Sequence, residues 1–230
     1  MLRLRIQAPF AAFRPFAAGS FRPTADFITP SAAFGLLLNI AGVEMRGGEG
    51  KSNGTTLIRE KLPPVRLAIG ARIFPERQEI FQQLHNYPVG TSGKEKAELA
   101  KGSKYNIVPV GRAYLSGIDA IIEVDAPDLE PQIRKGLTGA SPRTYGLPFL
   151  GDNSFLLDRL EEVEETTEAH WYCKIGGEDA QLPKIEKKRI SRFTITISRE
   201  DMSLTKTALF APLSNRTPEI PSAAWVEVIY

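Results

Sequence analysis

A single cysteine, Cys173, excludes an internal disulfide framework, and two histidines far apart, His85 and His170, give no zinc-ligand spacing. Long apolar runs are also missing. The longest, from about Ala32 to Ala41, falls well short of the roughly 20 residues a bilayer span needs. Arg3 and Arg5 interrupt the N-terminal stretch, so no cleavable leader is read there. The glycine-rich segment Arg46-Gly47-Gly48-Glu49-Gly50-Lys51-Ser52-Asn53-Gly54 lacks the Gly-x4-Gly-Lys-Ser/Thr frame that wraps a nucleotide triphosphate. These absences point to a cytoplasmic protein that needs neither structural metal nor cofactor.

What is present is an ordinary globular composition with an uneven charge. Hydrophobic residues make up 42% and charged residues 24% of 230 residues, enough for one domain with a sizeable core. The formal net charge of +2 conceals segregation: residues 1–112 hold 16 basic against 8 acidic side chains. Residues 113–180 hold 5 against 14, and residues 181–230 hold 8 against 5. The basic front half suits a polyanion. The acidic run Glu161 to Glu168 reads either as a solvated helix face or as a dock for a basic protein.

The pattern along the chain predicts a strand over 1–8, then a loop over 9–28 pinned by Phe10, Phe13, Phe16, Phe21 and Phe27. A helix follows from Thr29 to Gly42. Thr29 can cap it, Pro30 suits the first helical position, and Gly42 suits a left-handed exit. A helix N-terminus beside a loop carrying Arg14 and Arg22 gathers donors and guanidinium groups that favour phosphate.

Alternation predicts a strand over Val65 to Phe74, with Arg66 and Arg72 on one face. A short helix is expected over Glu76 to Leu84. Two paired strands, Tyr105 to Tyr114 and Ile118 to Val124, would meet at Leu115-Ser116-Gly117. Residues 48–112 therefore read as a basic, β-rich insertion in a single domain of residues 1–230. Further helices are expected over Asp128 to Lys135, ended by Gly136, and over Phe155 to Glu165. Strands are expected over Ala169 to Ile175, Ser191 to Ser198 and Ala223 to Ile229. This order fits an α+β domain with helices packed on an antiparallel sheet.

Two stretches carry a family resemblance. One is the arginine-bearing strand and loop leading into Phe27-Ile28-Thr29-Pro30-Ser31-Ala32-Ala33-Phe34-Gly35-Leu36-Leu37-Leu38-Asn39-Ile40-Ala41-Gly42. The other is Tyr145-Gly146-Leu147-Pro148-Phe149-Leu150-Gly151-Asp152-Asn153-Ser154-Phe155. Together, in this order, they resemble the fifth-numbered CRISPR-associated protein family of the repeat-associated mysterious protein superfamily, in its fruiting-body developmental protein S-like branch. The two stretches cover under a quarter of the chain.

The resemblance implies a ferredoxin-like, RNA-recognition-type core with an inserted basic β-hairpin thumb. It implies a non-catalytic subunit of a type I Cascade complex that caps the 5′ handle of the CRISPR guide RNA. The implied partners are that RNA, the Cascade backbone subunit, the Cascade large subunit and, through the complex, target DNA. RNA contacts are expected from Arg14, Arg22, Ser31, Arg46, Lys51, Arg72, Lys104, Arg112, Arg143 and Tyr145. Some family members cut precursor RNA with a Tyr, Lys and His near the thumb base. His85, Tyr87 and Lys94 supply the residue types here, but not that placement. A protein-interaction module that binds no RNA is the remaining alternative.

Overall fold

Leu2, Leu4, Ile6 and Ala8 alternate with Arg3, Arg5 and Gln7, so one face of the first strand is wholly apolar. That strand, β1 (Leu2–Ala11), lies in a large and almost entirely antiparallel sheet in the computed structural model. The structure describes residues 1–15, 21–49, 56–85, 107–141, 146–176 and 184–230, with the backbone alone at 49, 84, 85, 107 and 108. Among these residues the other elements begin with β2 (Phe21–Arg22), α1 (Pro30–Ala41), β3 (Arg46–Glu49) and β4 (Thr56–Ile58). They continue with β5 (Val65–Ile73), β6 (Glu76–His85), β7 (Ile107–Asp125), α2 (Glu130–Leu137) and β8 (Arg159–Glu162). The last four strands are β9 (His170–Ile175), β10 (Ser191–Thr196), β11 (Lys206–Pro212) and β12 (Val226–Val228).

The strand order is β10-β11-β9-β5-β7-β1-β8, with β12 beside β5 and both β2 and β6 beside β7. The fold is therefore α+β, as the sequence predicts. Side chains on the inward face of β1, β5 and β7 meet α1, and Leu4, Phe34, Leu37, Leu67 and Val124 are fully buried between them. Each such side chain contributes roughly 1.5–3 kcal/mol relative to exposure. A smaller cluster around Ile121, Trp171 and Cys173 covers the opposite face. No helix among the described residues is long and apolar enough to cross a membrane.

α1 starts and stops where the sequence places it. Thr29 Oγ1 accepts from the Ala32 N–H at 3.3 Å, Pro30 occupies the first turn, and Gly42 exits at φ 77°. Gly42 and Val43 donate to Asn39 and Leu38 at 3.2 and 2.9 Å, closing the orphan carbonyls.

Elsewhere tertiary pairing overrides local preference. The segment expected as a helix over Glu76 to Leu84 is the strand β6, in continuous register with Ile107–Ser116. The two strands expected around residue 117 are a single strand, β7. Leu115-Ser116-Gly117 does not reverse the chain: Gly117 takes φ 72° within β7, where pairing to β6 gives way to pairing to β5. The helix expected over Phe155 to Glu165 is irregular chain followed by β8, which pairs with Leu4–Gln7. α2 runs through Gly136 to Leu137 rather than ending there. The flanks of the glycine-rich segment pair as β3 and β4, and β11 is a strand without a sequence signal strong enough to mark it. Of the expected insertion over 48–112, β5 is a central strand of the sheet, while residues 50–55 and 86–106 lie outside the described residues.

Candidate nucleic-acid interface

The chain leaving β1 is tied down by short-range bonds that aim Arg14. The Phe13 N–H donates to Thr24 Oγ1 at 2.9 Å, and the Ala25 N–H donates to the Phe13 carbonyl at 2.8 Å. Gly151, at φ 74°, packs directly on the Ala12 carbonyl, where a Cβ has no room. That close approach sets the next residue, Asp152, beside Arg14.

Asp152 is only 8% exposed, and its Oδ2 accepts from both Arg14 Nη2 and Arg112 Nη2. Its Oδ1 accepts from the Ser154 N–H at 3.0 Å. Arg112 also donates to Gln82 Oε1 at 3.3 Å and lies 5.8 Å from the Phe155 ring centroid. β2 pairs with β7 in parallel, setting Arg22 directly beside Arg112 in register. Two guanidinium groups thus converge on one carboxylate, and the charge of Arg22 is felt at Arg14, leaving the site positive.

The electrostatics reflect that excess. Burial lowers the Arg14 pKa from its ordinary value, and the neighbouring charges of Arg112 and Arg22 lower it further against the opposing pull of Asp152. Burial alone would raise the Asp152 pKa. The Ser154 N–H and the two arginines outweigh it and hold the carboxyl below its usual range.

Arg14 also lines a cleft of about 550 Å³ between α1, the β3–β4 hairpin, the loop 146–153 and the segment around Thr194 to Arg199. Its walls are largely apolar, with Leu36, Met45, Phe149 and Tyr230 among them, while Arg14, Arg46 and Arg199 bring positive charge. Beside the arginine cluster Phe10, Tyr114 and Phe155 form an aromatic group, with ring centroids 5.6 to 6.3 Å apart. Phe10 is 44% exposed. Cations next to apolar walls and aromatic faces can hold phosphate and unstacked bases together.

The fate of the expected contact residues is mixed. Arg14 and Arg22, from one loop of the sequence, come near Arg112, which lies far along the chain. Ser31 and Arg46 share the cleft with Arg14, but Ser31 is buried with its hydroxyl 3.1 Å from that of Thr29. Arg46 donates to Glu44 through Nε and Nη2 at 2.9 and 2.7 Å. Arg72 lies apart, on the sheet face away from α1, with its Nη1 3.9 Å from Asp119. Lys51, Lys104, Arg143 and Tyr145 lie outside the described residues, as do Tyr87 and Lys94. His85 ends β6, opposite Ile107. His170 is turned to the Leu213 carbonyl, 2.9 Å from its Nδ1, and its ring lies tilted against Phe74 at 4.7 Å between centroids.

Sequence reasoning passed over Asp152, Gln82 and Arg199. Asp152 stands inside the Tyr145-to-Phe155 stretch, but an acidic residue carries no phosphate-binding signal of its own. No group of three or more metal-ligating side chains is assembled among the described residues.

A family model described as CRISPR-associated protein (Cas_Cas5) matches residues 1–136. The chain belongs to this family. Within this Cas5 member the match takes in β1 through most of α2, and so Arg14, Arg22 and Arg112, whereas Asp152 falls beyond it. Among curated proteins none matches the chain. A chain in a solved structure of a "CRISPR RNA-guided surveillance complex" has the same fold, with a TM-score of 0.56 at 14% identity. The correspondence covers 97% of this chain and 92% of that one.

Proposed function

We propose that this Cas5 protein is a non-catalytic subunit of a type I Cascade complex that holds the 5′ handle of the CRISPR guide RNA. The observation that carries the reading is the meeting of Arg14 and Arg112 on Asp152, with Arg22 the register neighbour of Arg112 and Arg14 reaching the wall of the cleft. Phosphates of an unpaired strand would meet the guanidinium groups, and a neighbouring base would enter the cleft or lie against the Phe10–Tyr114–Phe155 group. The arm formed by β6 and the first half of β7 would serve as the thumb on a ferredoxin-like core. Family membership and the fold shared with a chain of a surveillance complex support assembly with backbone and large subunits, and through them action on target DNA.

The test is binding of a fluorescein-labelled single-stranded repeat RNA across a salt series. Each lost phosphate contact should reduce the slope of log affinity against log salt by about 0.7. Substituting Arg14, Arg22 and Arg112 together by Gln is expected to lower that slope by about 2. An unchanged slope and affinity would remove the proposal's support.

A further inference from the structure

We infer that Asp152 is a positioning residue that gathers Arg14 and Arg112 into one phosphate-binding unit, rather than a charge that weakens the site. The inference rests on the RNA reading above and assigns a role to the one acidic group at its centre.

The argument begins with reach. Arg14 follows β1, and Arg112 belongs to β7; no backbone hydrogen bond joins these two residues directly. Two guanidinium groups repel, and in water each long side chain samples many rotamers. Here both Nη2 atoms meet on a single oxygen, Asp152 Oδ2. The carboxylate thereby offsets the repulsion and fixes both side chains at one point, from which Arg14 reaches the cleft wall.

Asp152 is itself held firmly. The Ser154 N–H occupies its other oxygen at 3.0 Å, and Gly151 packs on Ala12 at the end of β1. The Leu150 N–H donates to the Phe155 carbonyl at 3.0 Å, closing the loop around the aspartate. Arg112 gains two further constraints, Gln82 on β6 and the face of Phe155. Fixing a donor before a ligand arrives removes that ordering cost from binding. A guanidinium has five N–H donors, so one bond to Asp152 leaves others for a phosphate. Arg14 keeps a 36% exposed side chain, and Arg22 adds a third cation without a carboxylate partner among the described residues.

The alternative, in which Asp152 merely competes with phosphate, makes a prediction of opposite sign, so Asp152→Asn decides between them. That substitution removes one negative charge at nearly constant volume. Simple electrostatics requires tighter RNA binding. A positioning role requires weaker binding, by about tenfold, the scale of one charge-assisted hydrogen bond lost or misaligned. The salt slope should fall by about 1.4, two phosphate contacts, even though the protein has become more positive. A purely structural residue would leave that slope unchanged. The readout is fluorescence anisotropy of a short labelled single-stranded RNA on the full chain, with thermal unfolding recorded in parallel.

Affinity equal to or greater than wild type in Asp152→Asn overturns the inference while leaving the RNA reading intact. Failure of the wild-type protein to bind RNA overturns both. Where Asp152→Asn folds poorly, Asp152→Glu carries the test. It keeps the charge but shifts the carboxylate by one methylene, so weaker binding supports positioning and unchanged binding refutes it.

Discussion

Gly136 of α2 lies against the backbone carbonyl of Ile40 near the end of α1, so closely that a methyl group has no space. The sequence assigns this glycine to a helix end, yet α2 runs one residue past it and its value is contact. Gly136→Ala is expected to destabilise the fold by about 1–3 kcal/mol, because the two helices must part to admit the new atom. Urea unfolding measures it. The intrinsic helix preference of alanine would act in the other direction, so the sign of the change identifies which effect wins.

Arg3 is buried on the sheet face away from α1, and its Nε donates to Glu123. Its terminal nitrogens donate to the carbonyls of Glu165, Thr167 and Pro218, and its guanidinium carbon lies 5.3 Å from the Trp171 ring centroid. One side chain thus secures two loops to the central sheet. Arg3→Met should cost about 3–5 kcal/mol by stranding the Glu123 carboxylate in the interior. The double variant Arg3→Met with Glu123→Leu should recover part of that loss. Denaturant midpoints of the three proteins check it, and a double variant worse than the single would refute the stranded-charge account.

Cys173 is fully buried in the smaller core, and burial pushes its thiol up to about 11. At pH 8 it is therefore protonated as well as shielded. Ellman's reagent is expected to leave the native protein unlabelled over minutes and to titrate one thiol once the chain is unfolded in guanidinium. Rapid labelling without denaturant would show that the Trp171 face opens independently of the main core.

Glu44 accepts from the Arg46 guanidinium and backbone N–H, and its pKa is lowered from 4.5 to about 2. The folded state prefers the ionised carboxylate. Its stabilisation is therefore present above the ordinary value and is lost as the pH falls through about 2. Solvent screens the pair, since the Arg46 side chain is 62% exposed, so the contribution stays below about 1 kcal/mol. Glu44→Gln should flatten the fall in melting temperature over that pH range, and it should lower stability at neutral pH by less than about 1 kcal/mol. Calorimetry across the range tests this.

The chain's local signals determined α1 nearly to the residue, because Thr29, Pro30 and Gly42 act on their own backbone neighbours. They also determined the apolar face of β1, the α+β class and the presence of Arg14, Arg22 and Arg112, whose charge can be read one residue at a time. The sequence could not decide β6 or β8. Both segments are rich in helix-compatible Glu, Gln and Leu, and they become strands because β7 and β1 offer open ladders to them. Nor could it separate Arg3 and Arg5, which hold acidic residues on β7, from Arg112, which meets Asp152 together with Arg14. Only the tertiary structure brings Asp152 to the two arginines, because an ion pair between positions 138 and 40 residues apart depends on how the sheet and the Gly151 loop pack.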